Sequence, residues 1–392
     1  MRILERKIDF KSIIKNYDYT LLVAYILICL FSLVMIYSSS MVVAIQRFNI
    51  PGDTFFKSQL ISFIISFFAL IFVSIIPYQW YKTPKFLMFV IVSMFLLLIS
   101  VKIFGEVKNN AKSWLNIFGF SFQPSEYAKL GIILYISAFY AKKQKEILSN
   151  YKIVLSPILF VLIIVFLVAT EPDFGAVIII FSITLVMMLC SGANSLKIAG
   201  IYTIGAAVVG FIFFNYYDVF LSGEKLNRVK TYLDPFNVDP DNSRQIINSF
   251  LAIAAGGVEG LGLGNSVQKL GYLSYPYTDF IIAIISEELG IFGVLFVIGI
   301  IGYFIFKGIN IGIRMLDAYG SLLAIGISGM IAIQAVVNLG GATGLLPLTG
   351  VTLPFVSSGG SSLLILSIAL GILINISTYK KELDRKYKKR KA

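Results

Sequence analysis

Histidine is absent from the 392 residues, and cysteine appears only twice, as Cys29 and Cys190. The first absence removes the usual general base, the usual zinc ligand and any serine–histidine triad. Acid–base chemistry then falls to carboxylates, lysines or tyrosines. The second removes a disulfide framework and a cysteine-based metal site, because the two thiols lie far apart in apolar runs. Charge is scarce too: 14% of residues are charged against 57% hydrophobic, which leaves no room for a soluble catalytic domain. Such a composition belongs to integral membrane proteins.

What is there is apolar sequence in runs of about 20 residues, enough to cross about 30 Å of hydrocarbon as helices. Ten can be drawn, near 19–38, 58–77, 86–104, 125–141, 152–169, 174–191, 197–215, 279–306, 319–342 and 358–378. The first follows a charged segment of 18 residues without a small-residue cleavage site, so it reads as a retained helix and not a signal peptide. The expected fold is all-α, one polytopic membrane domain with ten transmembrane helices. The net charge is +12, and a cytoplasmic N-terminus places 22 of the 33 Lys and Arg inside. Five of the others lie in one long loop, 216–278, between helices 7 and 8. Long loops weigh little in the positive-inside rule, so both termini are expected to be cytoplasmic and that loop extracytoplasmic. The tail 379–392, with KKELDRKYKKRKA, reads as a polybasic segment on anionic membrane lipid. Nothing folded accompanies the tail, so nucleic acid is not an expected partner.

The long loop opens polar and continues with the weakly amphipathic IINSFLAIAAGGVEGLGLGNSVQKLG. Short helices on or dipping into the outer membrane face are expected there. The last loop, TGLLPLTGVTLPFVSSGGSS, carries no charge but two Pro and four Gly. Backbone of that kind survives at membrane depth only where protein or a watery cavity satisfies it. It therefore points to a polar cavity open to the outside. No internal repeat is evident, which argues against an inverted-repeat transporter.

Acids gather near that cavity. Asp279 stands where the long loop meets a span, a position that suits an N-cap as well as a reactive carboxylate. Glu287 and Glu288 lie about 12 Å further along the helix, Glu287 some 80° round from Asp279 and able to share a cavity wall, Glu288 pointing roughly opposite. Acids at such depth usually face a bundle interior, and a structural pairing with a lysine competes with a functional role. Glu126 and Lys129 are i,i+3 partners expected to pair. Lys112 and Trp114 sit just outside that span, Lys112 suited to phosphate and Trp114 to a membrane belt. ATEPDFG, 169–175, reads as a turn holding Glu171 and Asp173, while Gln334 and Asn338 can hydrogen-bond across helices. Lys225, Arg228, Lys230, Arg244 and Lys269 share the side of Asp279. From the residues alone, the chain is a polytopic protein whose outward polar cavity suits an anionic substrate presented from the bilayer.

Six stretches in order carry more: QPSE (123–126) with Lys129, EPDFG (171–175), GLGLGNSVQKLGYL (260–273), TDFIIAIISEELG (278–290), GLLPLTG (344–350) and LPFVSSGGSS (353–362). VMIYSSS (34–40) precedes them. Together they resemble the SEDS family, the FtsW, RodA and SpoVE proteins of bacterial cell-wall synthesis, over about residues 18–378. The resemblance implies ten helices and a peptidoglycan glycosyltransferase that polymerises lipid II outside the cytoplasmic membrane. It implies that Asp279, in the TDF motif, is the essential carboxylate, with Lys112, Trp114, Glu126, Lys129, Arg244, Lys269 and Glu287 as candidate substrate-binding residues. A leaving pyrophosphate calls for positive charge, from Mg²⁺ or Mn²⁺ or from these basic residues. Partners implied are a class B penicillin-binding protein, which crosslinks the glycan, and other divisome proteins. FNIPGDTFFKSQ, the first outer loop, is similar to that of the division branch in Gram-positive bacteria, the elongation branch being the alternative. This chain departs from the family pattern at Ser113, Glu171 and Ser358, where many members carry Arg, Gln and Tyr. A lipid II flippase and an inactive divisome scaffold are the competing readings.

Overall fold

The computed structural model describes residues 15–391 apart from 109–110, 118–119, 172, 195, 201–202, 204–230 and 238–239. Its helices are α1 (Tyr19–Phe48), α2 (Thr54–Ile75), α3 (Pro84–Phe104), α4 (Pro124–Ser149), α5 (Ile158–Ala169), α6 (Phe174–Leu189), α7 (Pro240–Gly256), α8 (Ile281–Ile313), α9 (Ala318–Ala342) and α10 (Gly360–Lys391). Local chemistry sets the boundaries. Asn49 ends α1 in the left-handed conformation, and proline opens α3 and α4, where its missing N–H costs nothing. Among the described residues, seven helical segments are long and apolar enough to cross a membrane: α1, α2, α3, Lys152–Ala169, α8, α9 and Gly360–Arg385 of α10. α6 is apolar but has only 16 residues. Of the expected span 197–215, residues 201–202 and 204–215 lie outside the described residues.

α4 carries Glu126 and Lys129 and does not qualify on hydropathy. It is tolerated because it is enclosed by protein: residues 128–134 are all buried. The expectation of an all-α chain needs one correction, a small antiparallel sheet of β1 (Glu106–Lys108), β2 (Ala111–Ile117) and β3 (Phe120–Phe122) between α3 and α4. Along β2, Ser113 and Leu115 are buried while Lys112 and Asn116 are exposed, the period-two signature of a strand.

α9 and α10 form the middle of the bundle, and small residues let their neighbours come close. A Cβ on Gly326 of α9 would lie 2.7 Å from Ile133 and 3.2 Å from Met187. One on Gly371 of α10 would lie 2.7 Å from the Leu70 carbonyl. The first residues of α1 and the last of α8 and α10 share one end of the bundle, here the terminal end. Buried Asp18 staples it, accepting from Thr20 and Ser377, with Lys381 at 3.2 Å and Lys307 at 3.6 Å. Burial alone would raise the Asp18 carboxyl, but these hydrogen bonds and ammonium groups outweigh it and hold it low.

The opposite end is built around a break in α8. Gly290 has φ 62° and ψ −155°, so the helical ladder is interrupted there. The carbonyls of Glu287 and Glu288 instead accept from Leu261 N (2.8 Å) and Gly262 N (2.9 Å), and Ile291 N donates to Val258 O at 3.2 Å. Glycine makes this backbone-to-backbone contact feasible. A Cβ on Gly260 would lie 2.4 Å from the Glu288 carbonyl, and one on Gly290 2.2 Å from that of Val258. The segment 256–262 is thus a strap laid across the break.

Candidate active site

Asp279 stands two residues before α8. The N-cap position belongs to Phe280, so Asp279 stands one residue ahead of it. Three successive main-chain carbonyls fix its approach. Tyr277 O accepts from Ser358 N (2.9 Å), Thr278 O from Ser357 Oγ (2.6 Å) and Asp279 O from Asn338 Nδ2 (3.0 Å). The Tyr277 ring packs on Phe55 with centroids 4.5 Å apart. The half-buried Asp279 carboxylate faces the last loop: a Cβ on Gly350 would lie 3.8 Å from its Oδ2.

That loop, residues 343–359, is the uncharged one, and protein groups satisfy much of its backbone. Val351 O accepts from Asn338 Nδ2 (2.7 Å), Val356 O from Ser32 Oγ (2.7 Å), and Gly359 N donates to Gln59 Oε1 (3.2 Å). Phe355 pins it to the core. It is buried against Tyr25 and Phe304, and it takes φ 63°, a left-handed conformation that a bulky residue rarely adopts. Such strain costs of order 1–3 kcal/mol and persists only where the surroundings impose it.

QPSE and EPDFG meet on the far side of the loop. The Asp173 carboxylate accepts from Gln123 Nε2 (2.8 Å), Ser125 Oγ (2.7 Å) and, as N-cap of α6, from Ala176 N (3.0 Å). Gln123 N donates to Ser361 Oγ (3.0 Å), which donates to Ser121 O (2.7 Å). A Cβ on Gly175 would strike Thr349 O at 2.9 Å and Val351 at 2.6 Å. The 349–351 stretch therefore lies between Asp279 and the 171–175 turn.

Glu171 is the unusual member of that turn. It is 2% exposed, and neither carboxyl oxygen has a hydrogen-bond partner among the described residues. Burial pushes its carboxyl up to about 8, with Asp173 adding repulsion and Lys102 opposing it. A carboxyl raised in the folded state binds its proton more tightly folded than unfolded. Its cost to stability is therefore absent at pH below 4.5 and grows as pH rises towards about 8. Glu171→Gln keeps the neutral shape and cannot ionise. Its melting temperature is expected to exceed that of the parent by on the order of 5 °C at pH 8 and to match it near pH 5. The same difference at both values would overturn this reading.

The remaining residues singled out from sequence divide by location. Glu126 and Lys129 pair at 2.8 Å inside the bundle. Lys269 is buried and bonds Glu288 at 2.6 Å and Ser38 Oγ at 2.9 Å, while Ser38 Oγ lies 2.7 Å from Glu288. Glu287 accepts from Ser266 Oγ, Val267 N (2.9 Å) and Gln268 N (3.3 Å), fixing the turn that carries Lys269. Both glutamates thus serve the 266–269 segment, the structural pairing with a lysine being realised at Glu288. Lys112 is exposed on β2 and donates to the Lys102 carbonyl at the end of α3 (2.8 Å). Trp114 follows on the same strand, and Arg244 is exposed on α7. Lys225, Arg228 and Lys230 lie outside the described residues. Sequence reasoning passed over Ser357, Gln123 and Ser361 as site-builders, because lone polar residues in loops carry no spacing signal. Asn338 was visible as an amide on an apolar helix, but its targets are main-chain atoms that no pattern reveals.

The arrangement offers one carboxylate, rigidly carried and half-open, able to take a proton without moving. Among the described residues no three His, Cys, Asp or Glu side chains form a metal cage. The chain matches the FtsW, RodA and SpoVE family, described as cell cycle protein, over residues 19–382. It is 46% identical over 382 residues to the probable peptidoglycan glycosyltransferase FtsW of Bacillus subtilis (strain 168), covering 97% of this chain and 95% of the relative. It is 37% identical over 366 residues to stage V sporulation protein E of the same organism, covering 92% and 97%. A chain from a peptidoglycan synthase complex, solved for the coordination of polymerization and crosslinking, shares its fold with a TM-score of 0.74 at 22% identity, covering 93% and 98%. The Thermus thermophilus rod shape determining protein RodA does so with a TM-score of 0.65 at 21% identity, covering 92% and 96%. Matched from the first span to the tail, the chain belongs to the SEDS family of membrane cell cycle proteins, which includes FtsW, RodA and SpoVE.

Proposed function

We propose that the chain is a peptidoglycan glycosyltransferase that polymerises lipid II into glycan strands at the outer face of the bacterial cytoplasmic membrane, during septal wall synthesis. The observation that carries the mechanism is Asp279, held by three consecutive carbonyl contacts with its carboxylate against Gly350. The names of the relatives supply the reaction class and favour the division branch over an elongation polymerase. The Asp279 carboxylate takes the proton of the acceptor sugar's 4-hydroxyl as that oxygen attacks the donor's anomeric carbon. The new glycosidic bond forms as the bond to the pyrophosphate oxygen breaks, and undecaprenyl pyrophosphate leaves with the electron pair. The transition state has oxocarbenium character.

Charge on the leaving pyrophosphate calls for compensation. Lys112 and Arg244 are exposed and available, whereas Lys129 and Lys269 neutralise Glu126 and Glu288. A divalent cation, Mg²⁺ or Mn²⁺, would come with the pyrophosphate, since such ions use substrate phosphates and few protein ligands. EDTA is expected to slow turnover, with added Mg²⁺ or Mn²⁺ restoring it. Full activity in chelator would leave the task to basic side chains.

The positive-inside rule supports a cytoplasmic terminal end and ten spans in all, with the Asp279 end outside. A class B penicillin-binding protein would crosslink the product. A second reading, a lipid II flippase, draws on the break in α8, because transporters use discontinuous helices. Against it, three backbone hydrogen bonds from the strap lock that break. Purified protein with its penicillin-binding partner and labelled lipid II decides between them. Glycan ladders support the polymerase. Lipid II crossing vesicle membranes without ladders supports the flippase.

A further inference from the structure

We propose that Asn338 is a positioning residue for Asp279: its amide sets where the carboxylate stands by tying the main chain at residue 279 to that at residue 351. This rests on the reading of Asp279 as the base. An amide nitrogen carries two hydrogens, and here each has its own acceptor, Asp279 O at 3.0 Å and Val351 O at 2.7 Å. The donor is therefore saturated by two segments 72 positions apart in the chain, joined from a third, α9.

The placement of Asp279 explains why such a tie is needed. The first turn of α8 hydrogen-bonds to Phe280 O, from Ala283 N (3.0 Å) and Ile284 N (3.3 Å). The Asp279 carbonyl lies outside that ladder, so the helix alone does not fix the orientation of residue 279. Ser357 and Ser358 hold the two preceding carbonyls but not this one. Val351 follows Gly350, the residue facing Asp279 Oδ2. One side chain thus sets both walls of the gap in which the carboxylate sits.

The choice of asparagine is informative. Asn338 is 4% exposed, and its Oδ1 has no partner among the described residues. A buried acceptor left unmatched is destabilising. What the asparagine gives in return is the pair of donated bonds that join residues 279 and 351. Gln334, one turn deeper on the same helix and fully buried, has neither side-chain atom partnered among the described residues and ties nothing. It is the natural control.

The test compares Asn338→Leu and Gln334→Leu in the full chain with its penicillin-binding partner, by lipid II turnover, melting temperature and amide hydrogen exchange. Asn338→Leu is expected to lower kcat by about 100-fold with KM changed by less than about twofold, because displacement of a reacting group acts on the chemical step. Exchange at residues 277–281 is expected to rise, with little change across α10. Gln334→Leu is expected to leave turnover and exchange unaltered. Unchanged exchange at 277–281, unchanged kcat, or an equal loss in Gln334→Leu would each overturn the assignment. Should Asn338→Leu fail to fold, Asn338→Ser is read by the same criteria. Asp279→Asn runs alongside: if it polymerises like the parent, the base reading fails, while the exchange data still judge the tie itself.

Discussion

Asp279→Asn is expected to abolish glycan polymerisation while leaving the protein folded and able to bind lipid II. The substitution keeps shape and one acceptor oxygen but cannot take a proton. Removing a positioned general base typically costs 10² to 10⁴-fold in rate. With no histidine in the chain, no neighbouring imidazole can substitute. The backbone around the site should change little, because residues 277–279 are held through three main-chain carbonyls that the substitution leaves in place. The measurement is ladder formation from labelled lipid II, with melting temperature and lipid II retention as controls. More than about a tenth of parental turnover would remove Asp279 from the base role.

The second large effect concerns stability. Lys269→Met strands Glu288, a carboxylate with no exposed surface that otherwise bonds the ammonium at 2.6 Å. Breaking a buried pair from one side typically costs 3–5 kcal/mol, because the surviving charge is left unmatched. Ser38 remains within reach of that carboxylate, but one hydroxyl cannot replace a charge. The variant is expected to melt several degrees lower or to be lost during purification. Lys269→Met combined with Glu288→Leu removes both charges and is expected to regain most of the loss. A single variant as stable as the parent, measured in the same detergent, would show that the pair contributes nothing.

Much of the fold was legible because lipid imposes a harsh rule on sequence. Helix ends placed by apolar run length agree closely for α3, α6 and α9, and for the start of α1, which runs ten residues past the expected end to Phe48. The sheet 106–122 was not legible, since a Trp near a span reads equally well as a belt anchor and three-residue strands have almost no pattern. The Glu126–Lys129 pair followed from i,i+3 spacing within one helix. Lys269–Glu288 could be named only as an acid awaiting some lysine, because its partner comes from a loop whose path the sequence does not dictate. The same limit hid the ties of Asn338, whose targets are carbonyls in two other segments.

The break in α8 also sets a height. From Ile281 to Gly290 every residue but Leu289 belongs to the buried set, and surface-facing apolar side chains begin only with Ile291 and Phe292. From Ile291 to Ile313 the helix rises about 34 Å, enough by itself for about 30 Å of hydrocarbon. The stretch before Gly290 is therefore not needed for the crossing, and protein clothes it as a pedestal. Asp279, at its tip, is thus carried on a length of helix that packs against protein and leaves the lipid-facing length intact.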